Sequence, residues 1–405
     1  MKLLRLYSKE MGKLINRLYL RKKRVEKTVA KIIEDVRNFG DEAVVKYTYK
    51  FDKVKLNPRQ IRVTEAEISG AFQDIQPDFV IKFKEIIENI ERFYKKRIKK
   101  SWRIRSEDGV VLGEEVFPFR RVGIYIPGGT APLVSTIYMT VIPARIAGVE
   151  EIVLATPPNK EGLINPYILV VANLLKIKEI YKMGGAQAIA ALALGTKFVE
   201  RVDKIVGPGN VYVTEAKRQL FGYVDIDMLA GPSEVVVIAN RFSNPSFVIA
   251  DLKAQAEHAG GLSVLITTSK SLGKIVKKEV DNGYLIVVKN LDEAIEIANR
   301  IAPEHLEILV RNPRRIIKRI RNAGCVFIGP YSPVAVGDYI AGPSHVLPTG
   351  GSARFFSGLG VDDFLKKTHL VIYSKKALER VKGLVEMVAG IEKMEKHMES
   401  INIRF

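Results

Sequence analysis

From residue 122 onward the chain alternates short β-branched runs with longer helical stretches, and that rhythm constrains the fold more than any other feature. VGIYI (122–126) is followed by a helical pattern near 135–147, EIVLA (151–155) by one near 165–175, EIYKM (179–183) by one at 186–195, and KIV (204–206) by one near 210–220. A second series starts at EVVVIA (234–239) and continues through a helix at 245–259, SVLITT (263–268), a helix at 269–280 and YLIVVK (284–289). It closes with a helix at 292–301, LEILV (306–310), a helix at 312–322 and CVFI (325–328). Strands joined by helices run parallel, and a parallel sheet needs both faces covered. The expectation is two parallel-sheet α/β domains meeting near residues 225–233. Residues 1–100 are largely helical by period. Residues 356–405 hold a helix near 376–389 and a charged tail, IEKMEKHMESINIRF, whose Ile, Met and Phe predict packing on this chain or on a partner subunit.

At 405 residues the chain is too long for one core. Hydrophobic residues at 47% and charged residues at 27% describe an ordinary globular protein. No apolar run approaches the roughly 18–20 residues of a membrane span, and the basic N-terminus lacks the apolar core of a secretory signal, so a cytoplasmic protein is expected. The formal net charge of +19 raises nucleic acid as a partner. The excess lies in RKKR (21–24), KKRIKK (95–100) and RNPRRIIKRIRNAG (311–324), each of which reads as the solvated face or end of a helix. With no zinc-finger spacing or aromatic RNA-binding pair beside them, a solvated surface is favoured over nucleic-acid binding. The single Cys325, in the apolar run GCVFIG, cannot form an internal disulfide and reads as a buried inert thiol, since nothing near it in sequence supplies a base.

Ligands of parallel sheets sit beyond the carboxyl ends of the strands. The loops there are PGGTAP (127–132), GGAQ (184–187), GPGN (207–210) and AGPSE (230–234). Their glycines suit close backbone approach to a phosphate, but plain tight turns would look the same. The G-x-G-x-x-G dinucleotide fingerprint does not occur.

All five histidines follow residue 257: His258, His305, His345, His369 and His397. In DLKAQAEHAGG (251–261), a helix to 259 would put Gln255 and His258 on one face at i and i+3, with Asp251 four residues before Gln255. That stripe is either ordinary helix surface or half of a metal site. In APEHLE (302–307), Pro303 breaks a helix, and an irregular loop could aim Glu304 and His305 into one cleft to divide acid–base labour. A hydrogen-bonded loop pair is the plainer reading. His345 shares the turn-rich GDYIAGPSHVLPTGG (337–351) with Asp338, itself a natural turn former or helix cap. His369 alternates into an apparent strand and is structural, while His397 sits with Glu392 in the tail. If Gln255, His258, Asp338 and His397 converge, they form a nitrogen and oxygen donor set without thiolate. Such a set is compatible with zinc and suited to an open site that orients a ligand.

VDIDMLAGPSEVVVIANRFSNPSFVIADLKAQAEHAG (224–260) resembles the signature of the histidinol dehydrogenase family, and YIPGGTAP (125–132), GGAQAIAALALGT (184–196), GPGNVYVTEAKRQ (207–219), APEHLE and GDYIAGPSHVLPTGG fall in that family's order. The resemblance covers essentially the whole chain, with a somewhat short N-terminus, and the missing glycine-rich fingerprint is shared with the family. It implies oxidation of L-histidinol to L-histidine through histidinaldehyde, with two NAD⁺ reduced. It implies two Rossmann-like parallel-sheet domains, a helical N-terminal segment (1–22) and a helical C-terminal tail (356–405) that packs across a homodimer. The NAD-contacting domain would span 122–232, and a discontinuous domain, 23–121 with 233–355, would carry the metal and catalytic residues. Gln255, His258 and Asp338 match three zinc ligands and His397 the fourth, supplied by the other subunit. Glu304 and His305 match the catalytic pair. Ser233, Glu392 and, less closely, His345 fall where substrate is held, beside the zinc ligands and His305. Tyr125, Gln187 and Asn210 match NAD-contacting positions. Neither nucleic acid nor membrane is an implied partner. Two other readings compete: a basic nucleic-acid-binding protein, and an aldehyde dehydrogenase that uses Cys325 as nucleophile.

Overall fold

EVVVIA becomes a strand covered on both faces, which is what an uninterrupted apolar run in a parallel sheet requires. The computed structural model describes residues 1–17, 23–128, 132–258 and 260–405. Parts of RKKR and PGGTAP lie outside them. In chain order the strands are β1 Lys2–Leu4, β2 Trp102–Arg105, β3 Val111–Pro118, β4 Arg121–Tyr125, β5 Glu151–Thr156, β6 Glu179–Lys182, β7 Lys204–Val206, β8 Asp225–Ile226, β9 Glu234–Ala239, β10 Leu262–Thr267, β11 Tyr284–Val287, β12 His305–Leu309, β13 Cys325–Ile328 and β14 Leu365–Ile372.

The chain divides into two units, Met1–Arg97 with Phe119–Phe364, and Ile98–Pro118 with Leu365–Phe405. The first unit contains two parallel sheets. One has the order β6-β5-β4-β7-β8, in which β4 is central and consecutive strands step outward on either side. The helical stretch Lys23–Asp52, broken into two helices at Gly40 (φ 52°), buries Val29, Ile32, Val36 and Val44 against this layer, in one cluster with Tyr181, Ile189 and Leu192. The other sheet has the order β1-β11-β10-β9-β12-β13, with β9 between β10 and β12. Along β9, Val236 and Ile238 join the core on one face, while Val235, Val237 and Ala239 join the core on the other. Period-2 alternation therefore distributes one apolar run between two cores.

The second unit is a three-stranded antiparallel sheet, β14-β3-β2, followed by helices Lys375–Ile391 and Glu395–Asn402. β2 and β3 have no counterpart in the sequence reading. WRIR is exposed throughout, and β3 finds its main partner β14 some 250 residues away, so neither strand carries the apolar signature of a buried sheet. The β–α series is otherwise as expected, with two differences, the first of which touches the site. The helix expected to reach 259 ends at Gln255, and the one expected at 312–322 is only Arg314–Ile317. No described helix is long and apolar enough to cross a membrane.

Candidate active site

Strand β12 begins at His305, and the turn before it is set by Ala302 in the left-handed region (φ 49°) followed by Pro303. Glu304 precedes the strand rather than alternating within it, so it and His305 both reach one residue, Glu234, at the start of neighbouring β9. One Glu304 carboxylate oxygen accepts from the Glu234 N–H (2.7 Å) and from the Ser233 hydroxyl (2.6 Å). The Glu234 carbonyl lies 3.0 Å from His305 Nδ1. A carbonyl can only accept, so Nδ1 carries the hydrogen and Nε2 is left as the basic atom of the neutral ring. Nε2 is buried without a hydrogen-bond partner among the described residues, and the nearest carboxylate, Asp338 Oδ1, is 3.5 Å away.

The electrostatics follow from this crowding. Burial pushes the Glu304 acid up to about 7, against the opposing pull of His305, Ser233 and the Glu234 N–H. Burial works against the His305 imidazolium too, but the Glu304 carboxylate and Asp338 outweigh it, and His305 is pushed up to about 9. His345 moves the other way. Burial lowers its pKa, the neighbouring His305 and His258 add to that, and Asp338 only partly compensates. Its Nδ1 donates to the Asp338 carbonyl (2.9 Å), which leaves Nε2 to face the Thr136 hydroxyl at 3.4 Å.

The Glu234 side chain is fixed as firmly as its backbone is used. Arg17 grips it through two hydrogen bonds of 2.6 and 2.5 Å, and the Gly350 N–H adds a third at 3.1 Å. Nothing in the sequence could have signalled this. The backbone of any residue can serve a catalytic pair, and the arginine lies 217 positions away.

Of the four candidate metal ligands, Gln255 is buried with its Nε2 unpartnered, Asp338 borders His305, and His258 is exposed beyond the helix end in a turn closed on Gln255. Gln255 and His258 therefore do not share a helical stripe as expected, because the helix ends at Gln255. Glu392 and His397 are exposed on the second unit, at the end of one helix and within the next. Among the described residues no group of three or more His, Cys, Asp or Glu could hold a metal ion. The amide of Gln255 falls outside those residue types, however. Zinc takes an amide through its oxygen, and an amide whose nitrogen has no partner can turn to present that oxygen instead, so Gln255 fits as one ligand of a zinc site. Asp251 does not belong to it, for its carboxyl meets that of Glu307.

Glu307, two residues after His305 on β12, is fully buried and accepts from the Val334 N–H at 2.9 Å. Burial, and then the charge of Asp251, hold its acid well above the ordinary 4.5. A raised carboxyl stabilises the fold fully below its unfolded pKa and loses that contribution as pH rises through the folded one. Glu307→Gln is therefore expected to raise the melting temperature at pH 8 while leaving it unchanged below about pH 4.5. A shift of equal size at both pH values would refute the raised pKa of Glu307.

The cofactor candidates gather at the carboxyl ends of β4, β6 and β7. The buried Tyr125 hydroxyl accepts from the Gly185 N–H at 3.0 Å. Gln187 is fully buried, and neither atom of its amide has a partner. Asn210 caps the helix Val211–Leu220, its Oδ1 accepting from the N–H groups of Tyr212 and Val213 (3.0 and 3.1 Å), which leaves its amide NH₂ for another acceptor. The loop glycines answer to packing between loops. A Cβ at Gly207 (φ 113°) would lie 2.2 Å from the Tyr125 carbonyl, and one at Gly128 would lie 2.1 Å from Pro157. The unsatisfied Gln187 amide, rather than glycine content, is the observation that fits a bound cofactor.

Cys325 pairs in register with His305 across β12 and β13, so a base is near in space although not in sequence. Burial nonetheless pushes its thiol up to about 11, which keeps it protonated. Cys325→Ala is expected to keep more than half of the activity, and a folded but inactive variant would restore the nucleophile reading.

Comparison with known proteins supplies the deciding observation: the family model of histidinol dehydrogenase matches residues 15–405. The chain belongs to the histidinol dehydrogenase family. It is 48% identical over 94% of its length to a histidinol dehydrogenase of Clostridium acetobutylicum, covering 92% of that protein, and 49% identical over 97% to one of Caldanaerobacter subterraneus, covering 96%. The crystal structure of histidinol dehydrogenase from Elizabethkingia anophelis superimposes with a TM-score of 0.92 at 38% identity, covering all of this chain and 97% of that one. The family likeness thus spans both units of this chain, including the exposed tail that carries Glu392 and His397.

Proposed function

We propose that this chain oxidises L-histidinol to L-histidine in two successive steps through L-histidinaldehyde, as a homodimer in the cytoplasm. The observation that carries the mechanism is the free Nε2 of His305, whose tautomer is set by the Glu234 carbonyl. In the first step Nε2 takes the alcohol proton as a hydride leaves the carbinol carbon, giving the aldehyde. The aldehyde then needs water. Glu304, ionised above about pH 7, removes a proton from that water as it adds to the carbonyl, and the resulting gem-diolate loses a second hydride to give the acid. Ser233 holds the Glu304 oxygen in place, and His345, kept neutral by burial, is available to hydrogen-bond the substrate.

When bound, NAD⁺ supplies the hydride acceptor, and Tyr125, Gln187 and Asn210 would contact it. Zinc, held by Gln255, His258, Asp338 and a tail His397 from the partner subunit, would supply a grip on the imidazole and amine of the substrate. Glu392 would lie beside that tail ligand. The test is an absorbance assay with purified protein and histidinol. Two NADH formed per histidine support the reading, whereas one NADH with accumulating aldehyde would remove the second step.

A further inference from the structure

A cavity of about 450 Å³ opens beyond the carboxyl ends of β4 and β5, between Gly128 in the first loop and Pro157 and Lys160 in the second. In a parallel sheet with β4 central and β5 beside it, a dinucleotide's adenosine half ordinarily lies there, and an acid at the end of the second strand accepts from the ribose hydroxyls. Here β5 runs into Thr156, Pro157, Pro158 and Asn159, with no acid among them. Among the described residues the one carboxylate lining the cavity is Asp52, which comes from a different element, the last residue of the helical stretch Lys23–Asp52.

Asp52 is badly placed for stability. It sits where the partial negative charge of a helix C-terminus opposes a carboxylate. Its Oδ2 is buried without a hydrogen-bond donor among the described residues, and burial raises its acid to about 6. A half-buried acceptor that costs stability and lines a pocket of ligand size has the signature of a binding group. Its charge also reaches the buried Tyr125 hydroxyl, which links it to the cofactor loops.

We propose that Asp52 accepts the hydroxyl hydrogen bonds of the cofactor's adenosine ribose and thereby sets the preference for a cofactor without a 2′-phosphate. This rests on the reading of those loops as an NAD site. A carboxylate accepts from two vicinal hydroxyls but repels a 2′-phosphate, and once Asp52 is neutralised the Lys160 ammonium on the same cavity would favour the phosphate instead.

The experiment is equilibrium titration of the full-length protein with NAD⁺ and with NADP⁺, followed by calorimetry. Wild type should bind NAD⁺ more tightly. Asp52→Asn should weaken NAD⁺ by about tenfold and tighten NADP⁺, because a charged hydrogen bond is lost and a like charge removed. Its melting temperature should stay level or rise. Asp52→Ser, which shortens the side chain, should move the ratio the same way. Gln187→Ala should weaken both cofactors equally. If wild type binds NAD⁺ and Asp52→Asn keeps the wild-type ratio, the ribose assignment alone falls. If wild type binds neither cofactor, the NAD reading falls and takes the assignment with it.

Discussion

His305→Asn is expected to lower kcat for histidinol oxidation by about 10²–10⁴-fold, the usual contribution of a positioned general base. Asparagine retains a donor for the Glu234 carbonyl but offers no basic atom at the Nε2 position, so the fold and substrate affinity should survive while proton removal does not. The pH profile gives an independent reading. A base works only when deprotonated, and His305 is held protonated up to about 9, so the wild-type rate should climb through the alkaline range and level off near that value. His305→Asn should flatten the climb. A climb that persists in the variant would move the titrating group elsewhere. Glu304→Gln should separate the half-reactions, since its carboxylate is assigned to the water of the second step, and oxidation of supplied aldehyde should fall further than oxidation of alcohol. Equal losses in both would break the division of roles.

The second large effect concerns the metal. Dialysis against a chelator should reduce histidinol-dependent NADH formation to background, and added zinc should restore it. Gln255→Ala should weaken zinc retention by at least about tenfold, as loss of one donor group commonly does. Metal content measured after dialysis separates the two claims: activity in zinc-free protein would discard the site, while tight zinc in Gln255→Ala would discard only that ligand.

The β–α rhythm was legible because a buried parallel strand has to be apolar on both sides. EVVVIA could scarcely be anything else, and five of its six residues enter one of two cores. His258 was harder. Helical periodicity runs on through Ala256 and Glu257, but the chain turns after Gln255, where a Cβ at Gly261 would lie 2.5 Å from the Gln255 carbonyl. The glycine pair stops the helix one turn before the polar pattern does. Glu304 and His305 could be named from sequence only as an acid beside an imidazole. Their shared anchor was hidden because it is a peptide group, which has no letter of its own. Asp52 was hidden for another reason: its neighbours in sequence are helix, and only the packing of that helix on the β4 layer brings its end to the loops after β4 and β5.

The peptide unit of Glu234 has a consequence for how such a site can change. One rigid plate presents its N–H to the acid and its carbonyl to the base, and its side chain is bolted to Arg17. With the roles proposed for Glu304 and His305, any shift of the plate would displace both groups at once and gear the two oxidations together. Substitutions that tune one step through β9 must disturb the other, and independent adjustment is left to Ser233, which touches only the acid, and Asp338, which approaches the base from the opposite side. The N-terminal segment, through its arginine, holds the gear.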